Sequence, residues 1–327
     1  MSDPTDVRTK IQELRNLAEK SNIDISRELA ELETKFRPTT PAPAPVVNEA
    51  WRRVELARHP DRPTTLQYAE TIFDDFIELH GDRTFGDDPA LVGGIALLNG
   101  MPVTFFGHQK GQNMKDNLKR NFGMAHPEGY RKALRLAKQA AKFGRPILTF
   151  IDTPGAYPGV SGEDRGISQA IAVNMKEFSV LPVPIIATIL GEGGSGGAIG
   201  IGVADIVLMM ENAYYSVITP EGCASILLRD SGKARQAAAL LKLTPRDLLR
   251  FRVVDRIVSE PPIGAHKDRA GAAAALKEDI LASLAVLSRR SVESLLAQRH
   301  QKFLSLGVFH EEESRRKSLL ERLRDFF

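Results

Sequence analysis

The stretch Pro184 to Gly202, PIIATILGEGGSGGAIGIG, decides how the chain is read. Ile185, Ile186, Thr188 and Ile189 form an apolar, β-branched run that predicts a buried strand. The run stops at Gly191, where a seven-residue segment holds five glycines and one acid, Glu192. Glycine lets the backbone turn sharply and bares its N–H groups at the start of a following helix, an arrangement suited to an anion or oxyanion.

Three readings of this turn stand side by side. The plainest is close packing between a strand and a helix. Gly191, Gly193 and Gly196 also satisfy GxGxxG, and Glu211 lies where a dinucleotide fold places its ribose acid. Spacing argues against that fold: about eight residues separate Gly197 from the next strand near Asp205, and as helix they span roughly 12 Å, short of an ordinary strand. A crossover between parallel strands needs at least about 10 to 12 residues. Gly193, Ser195 and Gly197 satisfy GxSxG as well, with Asp255 and His266 in the chain order of an α/β-hydrolase, so a serine hydrolase using Ser195 is the alternative.

Outward from the turn, 327 residues with 43% hydrophobic and 26% charged content are enough for a large core. No apolar run reaches the ~20 residues that cross a bilayer, and residues 1–20 are polar rather than a signal peptide, so the expected compartment is the cytoplasm. A net charge of +3 is too mild to imply nucleic acid. The single cysteine, Cys223, excludes an intrachain disulfide and reads as a small buried hydrophobe. Histidines lack ligand spacing, and no metal is expected in this chain.

Along the chain, two short amphipathic helices (Val7 to Ala18, Ile25 to Phe36) precede the proline-rich linker RPTTPAPAPVVN. Helices are expected at Glu49 to Arg58 and over Leu66 to His80. Asn99 and Gly100 separate two strand-like runs as a type I′ hairpin. The polar KGQNMKDNLKRNFG reads as a surface loop or loose helix, and Pro127 opens a helix that exposes Arg131, Arg135, Lys138 and Lys142 as a basic stripe. Lys110, Lys119, Arg120, Arg131 and Arg135 are candidates to attract an anionic substrate or acidic carrier. The strand ILTFID runs into TPGAYPGVSGEDRG, whose two prolines and four glycines make a shaped loop one strand before the glycine-rich turn. A helix over Ile167 to Leu181 follows. Beyond the turn come the apolar runs DIVLMM and AYYSVI, a helix capped by Thr219 and begun by Pro220, two more helices, a last strand near Val253 to Val258 and a helical remainder. The organisation is 1–48 for N-terminal helices and linker, 49–265 for an α/β core and 266–327 for a C-terminal helical region.

Taken together, IDTPGAYPG, GEGGSGGAIGIG, HQKG followed by RNFGM and PEGYRKALRL, and TPEGCASIL resemble the carboxyltransferase α subunits of bacterial-type acetyl-CoA carboxylase, from about Trp51 to about His266. The resemblance implies an α/β, crotonase-like (ClpP/crotonase) spiral of ββα units with added terminal helices and oxyanion holes at helix N-termini. It also implies a reaction, transfer of the carboxyl group of N-carboxybiotin, carried on the biotin carboxyl carrier protein, to acetyl-CoA, giving malonyl-CoA in the first committed step of fatty acid biosynthesis. A carboxyltransferase β subunit would complete an α2β2 heterotetramer and hold the zinc, and biotin carboxylase would belong to the wider complex. The resemblance assigns the oxyanion hole for the biotin ureido oxygen to the backbone of Gly196 and Gly197. Gly155, Ala156, Tyr157, Gly193, Gly194, Lys110 and Arg120 are then the expected substrate-binding positions. Both reacting groups pass through transient anions, which oriented N–H groups stabilise, so Ser195 is expected to serve the turn rather than to attack. The proline-rich linker and the chain after Lys267 carry no motif of that family.

Overall fold

A computed structural model describes residues 48–307. The two helices expected near the N-terminus, the proline-rich linker and the charged C-terminal tail lie outside the described residues.

Asn48 caps the first helix, α1 (Glu49–Ala57), by accepting from the Trp51 N–H, and α2 follows at Thr65–Ile72. The helix expected to continue to His80 ends there: Phe73 turns to extended backbone, and β1 (Asp75–Glu78) pairs antiparallel with β2 (Leu91–Leu98). The apolar residues of FDDFIEL fit a helical face, but Phe76 reaches the core from β1 and Leu79 from the residue just past it. β2 returns antiparallel into β3 (Met101–His108), with Leu98 opposite Met101. Asn99 and Gly100 have φ of 48° and 74°, both positive as a type I′ turn requires.

The polar stretch after β3 forms α3 (Met114–Lys119), which buries none of its residues. α4 (Pro127–Lys142) starts with proline in its first turn and packs on β2, β3 and a later helix. β4 (Ile147–Thr153) and β5 (Ile185–Gly194) are buried at every position, as parallel strands covered on both faces must be, so their apolar runs do not alternate. Between them lie α5 (Val160–Asp164) and α6 (Ile167–Ser179), and α6 is the helix against which α4 packs.

β5 does not stop at Gly191. It continues through the glycines to Gly194, where Glu192, Gly193 and Gly194 pair with Tyr214, Tyr215 and Ser216 of β7 (Tyr214–Ser216). α7 (Ser195–Ile199) is one short turn of helix, and β6 (Ile206–Met210) then lies parallel to β5, Ile186 beside Ile206. The spacing argument against a parallel crossover therefore fails. It counted the connection as helix throughout, whereas only five residues are helical and the rest is turn and irregular chain, which covers more distance per residue.

Three helices, α8 (Pro220–Leu227, capped by Thr219), α9 (Ala234–Leu241) and α10 (Pro245–Arg250), lead to β8 (Arg256–Val258), parallel to β6. The sheet order is β1-β2-β3-β4-β5-β6-β8, with β7 attached to the glycine end of β5. α11 (Arg269–Leu287) adds Ala272, Leu276, Ile280 and Leu284 to the same core as the sheet. α12 (Val292–Leu304) is fixed by Arg299, fully buried, which bonds both carboxylate oxygens of Asp205 and the carbonyls of Phe178, Leu181 and Val183.

Candidate active site

The carboxyl ends of β4 and β5 carry the two glycine-bearing loops and bring them into contact. A Cβ on Gly194 would lie 2.0 Å from the Pro154 carbonyl oxygen, and one on Gly197 would lie 2.5 Å from the Gly155 carbonyl carbon. Only glycine allows backbone to approach backbone this closely. Gly196 has a different setting, because its nearest obstacle is Ile171 Cδ1 at 3.4 Å. Gly197 is buried, Gly196 half-buried and Ser195 exposed, so the start of α7 opens outward. The first N–H groups of a helix have no partner within it, which leaves those of Gly196 and Gly197 available to a ligand. From behind, Asn174 Nδ2 donates to the carbonyls of Tyr130 and Gly200, and Thr149 Oγ1 donates to Ile201.

Gly155 and Ala156 therefore meet Gly197, and Pro154 meets Gly194. Tyr157 stands half-buried with its ring stacked on His126, centroids 3.9 Å apart, and its N–H donates to the Ala125 carbonyl. Gly193 and Gly194 pair within the sheet and form the floor of the turn. The basic candidates are arranged otherwise. Lys110 Nζ donates to Asp152 Oδ1 at 2.8 Å and to Glu192 Oε1 at 2.7 Å, so it is a partnered ammonium rather than a free surface charge. Arg120 holds Asp116 and the Pro89 carbonyl from the end of α3. The basic stripe on α4 is also largely spent within the fold: Arg131 bonds Asp82, Arg135 bonds the Gly81 carbonyl and Lys138 pairs with Glu177.

Beneath the loops lies a network of buried charge that sequence reasoning missed. Glu192 Oε2 accepts from Arg58 Nε at 2.7 Å and from the Tyr214 hydroxyl at 2.6 Å, and Arg58 also bonds Glu221. Burial alone raises a carboxyl pKa, but Lys110 and Arg58 outweigh it and hold Glu192 at about 2. Deeper still, Arg62 pairs with Glu260 at 2.6 Å and donates to the Leu190 carbonyl. Glu260 is likewise held at about 2 against its burial, chiefly by Arg62. A cleft of about 550 Å³ opens over this network, with Arg58, His59, Lys110, Asp152, Pro154 and Glu192 in its lining. The signal was present in the sequence: Asp152 and Glu192 each interrupt a run with no other charge, and a buried acid requires a cation.

The hydrolase reading finds no triad. Asp255 accepts from Val207 N–H and from Lys302 at the opposite, amino end of the parallel strands, while His266 lies against His59, the rings tilted and their centroids 4.1 Å apart. Glu211, the ribose acid of the dinucleotide reading, accepts from the Glu260 N–H. Cys223 is buried among Ala224 and Ala237.

Similarity to solved structures defines the class first. The chain superposes on transcarboxylase 12S with TM-score 0.56 at 21% identity, over 68% of this chain and 41% of that one. It superposes on a chain of a Pseudomonas malonate decarboxylase hetero-tetramer with TM-score 0.54 at 19% identity, over 74% and 93%. This is the crotonase fold. The chain belongs to the acetyl co-enzyme A carboxylase carboxyltransferase-like family, which matches residues 3–307 and so reaches past the stretch that carries the motifs on both sides. A relative from Treponema denticola, an acetyl-coenzyme A carboxylase carboxyl transferase subunit alpha, is 56% identical over 301 residues, 92% of this chain and 97% of its own. One of the same name from Staphylococcus carnosus is 51% identical over 307 residues, 94% and 97%. The chain is a carboxyltransferase, one subunit of a carboxyltransferase complex.

Proposed function

We propose that this chain is the α subunit of an acetyl-CoA carboxylase carboxyltransferase, and that a β subunit completes its site. Carboxybiotin is a substrate here, presented on its carrier protein, and acetyl-CoA is the acceptor. The N–CO₂ bond of carboxybiotin breaks, its electron pair passes to the ureido group, the carboxyl carbon joins the acetyl methyl carbon, and the proton that the methyl gives up goes to the ureido nitrogen. Negative charge gathers on the ureido oxygen as the bond breaks. In this reading the N–H groups of Gly196 and Gly197 receive it, and each such donor is worth roughly 3 to 4 kcal/mol.

The observation that supports the reading is the packing of Gly194 on Pro154 and of Gly197 on Gly155 at the start of α7, while Asp255 and His266, the partners a hydrolase at Ser195 would need, are engaged elsewhere. Zinc and most of the acyl-CoA pocket belong to the β subunit in this proposal. Combined with that subunit, the chain is expected to catalyse biotin-dependent decarboxylation of malonyl-CoA, and a fluorophosphonate is expected to leave Ser195 unlabelled. Labelling of Ser195 with loss of activity would restore the hydrolase.

A further inference from the structure

Lys110, Asp152 and Glu192 sit just past β3, at the end of β4 and near the end of β5, on three neighbouring strands. One ammonium bridges two carboxylates, and Asp152 Oδ1 accepts a second bond, from the Glu192 N–H at 2.9 Å. The lysine side chain is mostly buried, 18% exposed, and the two carboxylates are 5% and 8% exposed. Its stem lies against the backbone of the loop after α3, where a Cβ on Gly123 would stand 3.1 Å from Lys110 Cγ and 2.8 Å from the Asp152 carbonyl oxygen. The contact between the two glycine loops begins only two residues beyond each carboxylate, at Pro154 and Gly194.

We infer that Lys110 is a positioning residue of the carboxyl-transfer site: by holding Asp152 and Glu192 together it fixes the separation of the two loops, and through them the aim of the Gly196 and Gly197 N–H groups. The inference rests on the proposed function and deepens it. Without the ammonium, two buried carboxylates face each other and repel, and Arg58 satisfies only Glu192. The loops then part at Pro154 and Gly194, and a displacement of about 1 Å at a reacting centre can cost about 10²-fold in rate. A lysine that instead contacted a substrate phosphate or carboxylate would act on KM.

The test is steady-state malonyl-CoA decarboxylation by the complex with the β subunit, wild type beside Lys110→Met. The expected result is a kcat lower by about 10²-fold with KM changed less than about threefold. Adding Asp152→Asn to Lys110→Met removes the repulsion and keeps an oxygen for the Glu192 N–H, so the double variant is expected to recover kcat by about tenfold over the single one. Unchanged kcat in Lys110→Met, a raised KM with kcat intact, or a double variant no better than the single one each overturns the positioning role. If Lys110→Met fails to assemble, Asp152→Asn alone carries the test: kcat falls at constant KM, and a wild-type kcat overturns the proposal. An inactive wild-type complex counts against the proposed function instead.

Discussion

Gly196 and Gly197 are adjacent yet differ in what a methyl group would meet. At Gly197 it strikes the Gly155 and Ala156 backbone, which cannot yield without moving the loop, whereas at Gly196 the nearest atom is a side-chain methyl at 3.4 Å. Gly197→Ala is therefore expected to lower Tm by several degrees. Gly196→Ala is expected to keep Tm within about a degree, because its methyl meets only the Ile171 side chain, while lowering kcat, because it stands on one of the two residues assigned to the ureido oxygen. Thermal melts and kinetics on the two variants check this; equal Tm losses would mean that Gly196 is a packing glycine too. The glycines were legible because their spacing survives in the sequence. The bridge from Lys110 to Asp152 and Glu192 was not, since a lysine opening a run of polar residues reads as an anion contact or a solvated charge until the strands on either side of it are known.

At the scale of elements, patterns tied to local backbone geometry were the readable ones. Asn99-Gly100 fixed a hairpin and Thr219-Pro220 a helix start, since each requirement is met within a few residues. Phe73 to Leu79 was misread because its apolar positions satisfy a helix as well as a strand, and the choice was made by pairing with β2, a contact distant in sequence. Arg299 was invisible for a similar reason: in AQRHQK it resembles a solvated helix face, yet α12 places it against Asp205 and three carbonyls. Arg299→Met is expected to destabilise the fold by about 3 to 5 kcal/mol in denaturant unfolding, because Asp205 is left charged and buried. A loss below about 1 kcal/mol would show that water or another cation replaces the guanidinium.

For the whole molecule, buried ion pairs tie α1 and the segment after it to the sheet, Arg58 to Glu192 and Arg62 to Glu260. Both glutamates sit at about 2 in the fold, below the ordinary value of 4.5. A lowered folded pKa contributes stability that is complete above the unfolded value and is lost as pH falls through the folded one. The Tm difference between wild type and Glu192→Gln is therefore expected to be constant above about pH 5 and to shrink between 4.5 and 2, so that the variant, which starts lower at neutral pH, has the shallower acid slope. Identical acid slopes for the two proteins would remove Glu192 from the acid response.

In the proposed function this chain supplies half of a carboxyl-transfer site. Transfer of an isotopically labelled carboxyl group from carboxybiotin to acetyl-CoA tests it, measured with the chain alone, with the proposed β subunit, and with an assembled Gly196→Pro complex of unchanged Tm, the glycine of the pair where an added Cβ has room. Label is expected in malonyl-CoA only when both subunits are present, and proline, which deletes one N–H donor, is expected to lower kcat by roughly 10² to 10³. Full turnover by the chain alone, or near-normal kcat in the assembled proline variant, would contradict the account.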